Sequence, residues 1–466
     1  MLFNSIEFVI FFPLCTVLYF LLPHRFRWIH LLVASCIFYA AFIPAYLFIL
    51  FFLIAIDYTA GLLIEKAKRP KFWLIASIVA NILLLGVFKY YDFFISNLNE
   101  LTGSHFILLN WILPIGLSFH TFQSMSYTIE VYHGRQKAIH HAGYYALYVL
   151  FYPQLVAGPI ERPQHLLPQL FKEQPFSAQK LYEGLRLMAW GFFKKLVIAD
   201  RIGLYADAIF NQPENAGPLQ IWLAVFFFSI QIYADFSGYS DIAIGAARCM
   251  GIDLCTNFNR PCLSNNIREF WKRWHISLSS WFRDYVYIPL GGNRKGETRK
   301  KINLLLTFVL SALWHGAGWT FIVWGFLHGA YTLMYDSFKK HVASAMIPGF
   351  IAWFVTFLCV GFAWIFFRAA SLSHALTIIG QSVNTGDMSF KNLLVTPGAN
   401  IQFGNFTLLL SFCMIGYMLL IEKFTTPKLL DLTARKTPDT CIFVCTLLLI
   451  LFFGEFQKTS FIYFQF

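Results

Sequence analysis

Apolar residues fill this chain in long runs, broken at intervals by short clusters of charge, proline and glycine. Runs of membrane-spanning or near-spanning length recur at 5–22, 29–41, 46–64, 72–88, 108–132, 144–160, 181–198, 221–251, 302–315, 319–335, 351–367, 406–421 and 441–456. Stretches of roughly 20 apolar residues read as membrane helices, and the lipid interior admits only helices or closed barrels. The pattern predicts an all-α fold: a polytopic transmembrane helical bundle of about a dozen membrane segments, some re-entrant or interfacial. No interval leaves room for a separate soluble domain, so residues 1–466 are expected to form a single integral-membrane domain. The first run lacks the basic start and small-residue cleavage site of a signal peptide and is read as a retained span. The largest non-membrane stretches are 161–180, 256–301, 371–404 and 422–440.

A different period appears at 264–288. Asn266 followed by Glu269 has the form of a helix start. Ile267, Phe270, Trp271, Trp274, Leu278, Trp281, Phe282 and Tyr285 then recur at three- and four-residue steps, while Arg268, Lys272, Arg273, Arg283 and Asp284 occupy the opposite side. An aromatic face backed by a basic one predicts a helix lying in the membrane interface. His275 falls on the apolar stripe. Taken alone, a histidine anchored by a backbone carbonyl in an aromatic seam is the plainer reading, with catalysis as the alternative.

The polar exceptions inside the apolar runs carry the chemistry. From Ile302 to Gly329 there is no Asp, Glu, Lys or Arg, yet His315 stands in the middle, in Leu313-Trp314-His315-Gly316-Ala317. An ionisable group at such depth is disfavoured and marks function by default. Asn303, Thr307, Ser311 and His315 follow at steps of four and share one broad helix face. That face is expected to wall a polar cavity with His315 at its inner end. His328 lies on the following run, as either a second cavity histidine or a structural one. Asp235 and Asp241 are also embedded, and a hydrogen-bond clamp between helices accounts for them more simply than direct chemistry. Pro153 to Pro163, with Gly158 and Pro159 between, is too broken for a plain helix and predicts a re-entrant or mouth-forming loop.

Composition names the solvent. Hydrophobic residues make up 58% of the chain and charged residues 13%, where a soluble chain carries roughly 25% charged. Arg25 and Arg27 follow the first run, and Lys66, Lys68, Arg69 and Lys71 follow the third. The turn near Pro44 and the loop from Asp92 to His105 hold no Lys or Arg. This alternation places the N-terminus outside and the basic loops in the cytoplasm. The net charge of +12 then reflects topology and contact with anionic lipid. The basic residues do not gather into a soluble domain, which argues against nucleic acid as a partner. The nine cysteines lie mostly in apolar runs, and Cys249, Cys255 and Cys262 lack zinc spacing, so neither a disulfide framework nor a metal site is expected.

Two histidines, one interfacial and one deep, suit acyl transfer, because an alcohol must lose a proton as it attacks a thioester. Arg268, Lys272, Arg273 and the cluster Arg294, Lys295, Arg299, Lys300 and Lys301 would suit a phosphate-bearing donor. Ordinary positive-inside topology explains the same charges. A channel or transporter would also use embedded acids and a polar cavity, although no internal repeat is visible.

The motifs narrow these alternatives. Trp271-Lys272-Arg273-Trp274-His275-Ile276-Ser277-Leu278-Ser279, Trp281-Phe282-Arg283-Asp284-Tyr285, Ile288-Pro289-Leu290-Gly291-Gly292 and Leu313-Trp314-His315-Gly316-Ala317 resemble membrane-bound O-acyltransferases. Phe151-Tyr152-Pro153-Gln154-Leu155-Val156-Ala157-Gly158-Pro159-Ile160 and Phe362-Ala363-Trp364-Ile365-Phe366-Phe367-Arg368-Ala369 resemble the bacterial branch that acetylates alginate, other exported polysaccharides or peptidoglycan. The same branch holds the shorter D-alanyl transferase of teichoic acid. The resemblance implies a helical bundle with a central funnel or tunnel in the bacterial cytoplasmic (inner) membrane. It maps the signature histidine onto His315 and the second active-site position onto His275. Around them, Arg268, Lys272, Arg273, Trp274, Trp314, Asn303, Ser311 and His328 are candidate donor-binding residues. The implied donor substrate is acetyl-CoA or another acyl thioester, with no bound cofactor. The implied partners are a periplasmic or membrane-anchored acetyltransferase protein and an exported polysaccharide acceptor.

Overall fold

The computed structural model describes residues 1–155, 158–341, 348–384, 404–424, 437–456 and 461–462. The loop expectations for 385–403 and 425–436, and the broken segment at Val156 and Ala157, fall outside the described residues. Among the described residues every regular element is helical, as the pattern predicts. The chain forms two compact units, Met1–Met188 with Tyr239–Thr256, and Ala189–Gly238 with Asn257–Phe466.

The first unit holds α1 (Ile6–Leu21), α2 (His24–Ala40), α3 (Tyr46–Lys66), α4 (Pro70–Leu85), α5 (Tyr91–Thr102), α6 (Leu117–Tyr132), α7 (Ala142–Leu150), α8 (Tyr152–Leu155), α9 (Pro163–Phe171) and most of α10 (Ala178–Phe192). The second holds α11 (Asp200–Asn211), α12 (Pro218–Cys249) as far as Gly238, α13 (Ile267–Arg273), α14 (Ile276–Phe282), α15 (Glu297–His315), α16 (Trp319–His341), α17 (Gly349–Arg368), α18 (Leu372–Ser382), α19 (Asn405–Phe424) and α20 (Thr437–Phe453).

Among the described residues, five helical stretches are long and apolar enough to cross a membrane by themselves: α3, the continuous Pro70–Thr102, α12, α17 and α19. Other apolar runs form shorter or interrupted helices. The run at 108–132 is helical only from Leu117, because the carboxylate of Asp92 accepts the backbone N–H of Leu109 at 2.8 Å and of Asn110 at 2.9 Å. Those amides are thereby withheld from a helix, and Pro114 follows. The run at 144–160 breaks at Phe151 between α7 and α8, consistent with its broken sequence.

Inside the first unit, α3, α4 and α6 pack on one another around a polar knot. Ser77 Oγ donates to Asp57 at 2.6 Å, and Asn81 Nδ2 donates to both Asp57 oxygens at 2.9 and 3.0 Å. Thr128 Oγ1 lies 3.1 Å from Ser77 Oγ. Inside the second unit, Lys195 on a wide π turn pairs with Asp200 at 2.7 Å and Asp235 at 3.0 Å. The Ile462 N–H adds a hydrogen bond to Asp235 at 2.8 Å. Asp235 is therefore a clamp between segments, and an ion pair supplies the partner that an embedded carboxylate requires.

The second unit is organised by the hairpin of α15 and α16. A Cβ on Gly325 would stand 2.5 Å from Ala312 Cβ and 2.7 Å from the Phe308 carbonyl, so glycine lets the two helices touch. The apolar part of α15, from Ile302 to His315, reaches ~21 Å at 1.5 Å per residue. That is short of the ~30 Å hydrocarbon layer. A helix with Lys300 and Lys301 at one interface would therefore end at His315 short of the opposite one.

Candidate active site

The expected interfacial helix is two helices. Asn266 caps α13, its side chain accepting the Glu269 N–H at 2.9 Å, and Glu269 in turn accepts the Asn265 N–H. The stripe is buried as its period predicts, at Ile267, Phe270, Trp274, Leu278, Trp281 and Phe282. The helix breaks at His275, which adopts φ 41° and ψ 57° before α14 begins. Left-handed backbone is unfavourable for a residue with a Cβ and persists where its surroundings impose it. Asn257 imposes it here. Its carbonyl oxygen accepts the Ile276 N–H at 2.8 Å, and its Oδ1 accepts from Ser277 Oγ at 2.9 Å. The same Oδ1 lies 3.0 Å from His275 Nδ1. An amide oxygen only accepts, so the neutral imidazole carries its proton on Nδ1 and its lone pair on Nε2.

His315 is the last residue of α15 and is 4% exposed. Gly316 follows in extended conformation, where a Cβ would come within 2.0 Å of the Phe321 ring. The imidazole packs edge-on against Trp314, Trp324 and Phe367, with ring centroids at 4.9, 5.3 and 5.5 Å. The His275 ring lies 6.0 Å from the same Trp314 indole and 4.7 Å from Phe236. Both histidines thus pack against the same tryptophan in an aromatic-rich wall. His328, fully buried, sits 4.9 Å from Trp324 and 5.0 Å from Trp271. Trp274 stacks on Phe270 and packs against Trp364.

A cleft of about 540 Å³ opens beside this wall. Its lining includes Trp271, Lys272, Ile276, Ser279, Ser280, Arg283, Thr307, Phe308, Ser311 and Thr332, with Arg268 and Lys300 at its edge. Two lining residues adjoin the histidines in the chain, Ile276 directly after His275 and Ser311 one helical turn before His315; the histidines themselves are not among the lining residues.

The structure sorts the predicted site residues. Arg268, Lys272 and Ser311 line the cleft as expected. Arg268 is paired with Asp336, which holds its guanidinium above its usual pKa and offsets its charge. Among the described residues no acidic side chain pairs with Lys272. Arg273 is not among the lining residues. It bonds to Glu269 at 2.5 Å and to the Arg260 carbonyl at 3.4 Å, bracing the corner instead. Asn303 does not line the cleft either: fully buried, it donates to the Leu290 and Gly292 carbonyls at 3.3 and 3.2 Å. The polar wall predicted from steps of four therefore holds for Thr307 and Ser311 only. Trp274 and Trp314 are core residues around the histidines, and His328 stands behind Trp271.

Three contributors were not foreseen. Asn257 sits in an irregular segment with no period to betray it. Thr332 and Asp336 follow His328 at steps of four, a signal present in the sequence. Among the described residues no three His, Cys, Asp or Glu side chains converge as a metal site requires.

The fold is that of a helical membrane protein with a basic, hydroxyl-lined cleft, and sequence comparison gives its family. Residues 120–372 match the profile of the membrane-bound O-acyltransferase family, MBOAT. The chain is 37% identical to the probable alginate O-acetylase AlgI of Pseudomonas aeruginosa, over 92% of this chain and 83% of that one. It is 38% identical to the peptidoglycan O-acetyltransferase of Helicobacter pylori, over 78% of this chain and 75% of that one. A teichoic acid D-alanyltransferase of Bacillus subtilis is 33% identical over 50% of this chain and 61% of its own. The chain belongs to the membrane-bound O-acyltransferase family, in its AlgI-type branch. It is a multi-pass membrane O-acyltransferase, which removes the transporter alternative.

Proposed function

We propose that this protein takes acetyl from cytoplasmic acetyl-CoA and passes it through the cytoplasmic membrane for O-acetylation of an exported, alginate-like polysaccharide, acting with a periplasmic partner. The observation that supports this reading most is the shared tryptophan: His275 and His315 both pack against Trp314, and the residues Ile276 and Ser311 near them in the chain line a cleft that also holds Arg268, Lys272, Arg283 and Lys300. Lys272, with Arg268, Arg283 and Lys300 beside it, attracts the phosphates of the donor. The thioester reaches the histidines past Ser311 and Ile276. There an imidazole lone pair takes the proton of the attacking hydroxyl. The new C–O bond forms, the C–S bond breaks, and the proton leaves with the thiol as coenzyme A. His315 is the acyl-handling base in this scheme. His275, its Nδ1–H fixed by Asn257, assists from its own contact with the same indole.

His315→Ala at wild-type protein level should abolish acetylation of the polymer, and normal acetylation in that variant overturns the scheme. Similarity to a peptidoglycan O-acetyltransferase supports a second acceptor within the same chemistry. Mass spectrometry of exported polysaccharide and of peptidoglycan, from cells with and without the gene, separates the two acceptors. D-alanyl transfer predicts D-alanine esters in the same spectra.

A further inference from the structure

His328 is fully buried one residue-layer behind the cleft, outside the scheme just given, and yet it is bonded to a cleft residue. The indole Nε1–H of Trp271 donates to His328 Nδ1 at 3.3 Å. An indole nitrogen is a donor only, so Nδ1 is the acceptor and the neutral ring carries its proton on Nε2. The nitrogen that could act as a base is therefore occupied by the tryptophan. Trp271 itself forms part of the cleft wall. Its ring meets Phe308 at 5.2 Å and Trp324 at 5.9 Å, contacts that locate the indole but do not fix its rotation. The hydrogen bond fixes it.

His328 is not alone on its face. Thr332 and Asp336 follow at steps of four along α16, which packs on α13. Thr332 lines the cleft, its hydroxyl bonded to the His328 carbonyl at 2.8 Å. Asp336 takes Nε and Nη2 of Arg268. One stripe of α16 thus orients two of the three residues that α13 presents to the cleft, the Trp271 ring and the Arg268 guanidinium, and leaves Lys272 aside.

We infer that His328 is a positioning residue of the donor cleft, holding the Trp271 indole in the plane that receives the acyl-CoA donor, and takes no proton from substrate. This rests on the reading of the cleft as the donor site. The amide oxygen of asparagine stands close to the position of Nδ1, so His328→Asn keeps the acceptor and removes the imidazole.

The test titrates coenzyme A into the purified full chain in detergent micelles. His328→Leu and Trp271→Phe are each expected to weaken binding about tenfold, the loss of one hydrogen bond of about 1.4 kcal/mol. The double variant should bind no more weakly than either single one, because both remove the same contact. His328→Asn should stay within about twofold of wild type and should acetylate polymer in cells. Should leucine unsettle the fold, Trp271→Phe and His328→Asn carry the comparison. Equal affinity of wild type and Trp271→Phe overturns the proposal, as does His328→Asn binding as weakly as His328→Leu. His328→Asn that binds normally but no longer supports acetylation overturns it too, since the imidazole would then have chemistry of its own. Failure of the wild-type chain to bind coenzyme A removes the cleft reading itself, a result distinct from the other three.

Discussion

Asp57 in the first unit and His275 in the second are equally buried, each with no exposed surface, and their surroundings differ in kind. Asp57 is ringed by neutral donors from other helices, Ser77 and Asn81 reaching its two oxygens. Its hydrogen-bonding capacity is spent on holding α3, α4 and α6 together. His275 is held at Nδ1 by Asn257 and lies among the rings of Phe236, Phe258 and Trp314. His315 resembles it, walled by Trp314, Trp324 and Phe367. Burial of an ionisable group in a membrane protein is thus a weak sign of chemistry by itself. What separates the two regions is what surrounds the group: hydroxyl and amide donors of a neighbouring helix at Asp57, and several aromatic rings at His275 and His315.

The sharpest way to break the contrast is substitution at His315. His315→Ala should lower polymer acetylation by a factor between about a hundred and ten thousand, the range for a general base, with protein abundance unchanged. Ester quantification against immunoblotted protein level reads both. His275→Ala should lose about a hundredfold, at the lower end of that range. In contrast, Lys195→Met strands two buried carboxylates, Asp200 and Asp235, and should destabilise the second unit by about 3–5 kcal/mol. Its signature is lost protein, seen as early aggregation on heating in detergent, with activity per folded molecule retained. Asp57→Ala should cost about 1–3 kcal/mol in the first unit, again as stability and with no change in turnover.

The smallest expected effect concerns a histidine at the surface. His165 lies 2.6 Å from Glu161, and that hydrogen bond raises its pKa against the opposing effect of burial. A raised folded-state pKa contributes stability fully below the unfolded value of about 6.5 and loses it as pH rises through the folded value. Its side chain is 47% exposed, so screening leaves well under 1 kcal/mol. His165→Asn should lower the melting temperature by about a degree at pH 5.5 and match wild type at high pH.

Much of this was legible in the chain. The apolar period located most of the long helices, because the bilayer leaves little choice of backbone, and Asn266 and Glu269 announced the start of α13. It did not locate α5, which replaces the loop expected at Asp92–His105, nor α9, α11 and α18, which fall outside the long apolar runs. The run at 108–132 misled because apolarity reports burial and not conformation, and a distant carboxylate, Asp92, decided which amides were withheld. The stripe through His275 misled for a related reason. Helical spacing continues across a corner when both halves bury the same face, so the break appears only where Asn257 ties the backbone.

The sequence alone determined the solvent, the helical class and the presence of an ionisable residue in an apolar run, since each follows from composition and local period. It also placed His315 and His275 in recognisable motifs. Only tertiary structure decided their company. Trp314 against both His275 and His315, Asp336 on Arg268 and His328 behind Trp271 join positions up to 68 residues apart. Local period carries no information over that distance, and the pairing depends on which helix faces come to rest against each other.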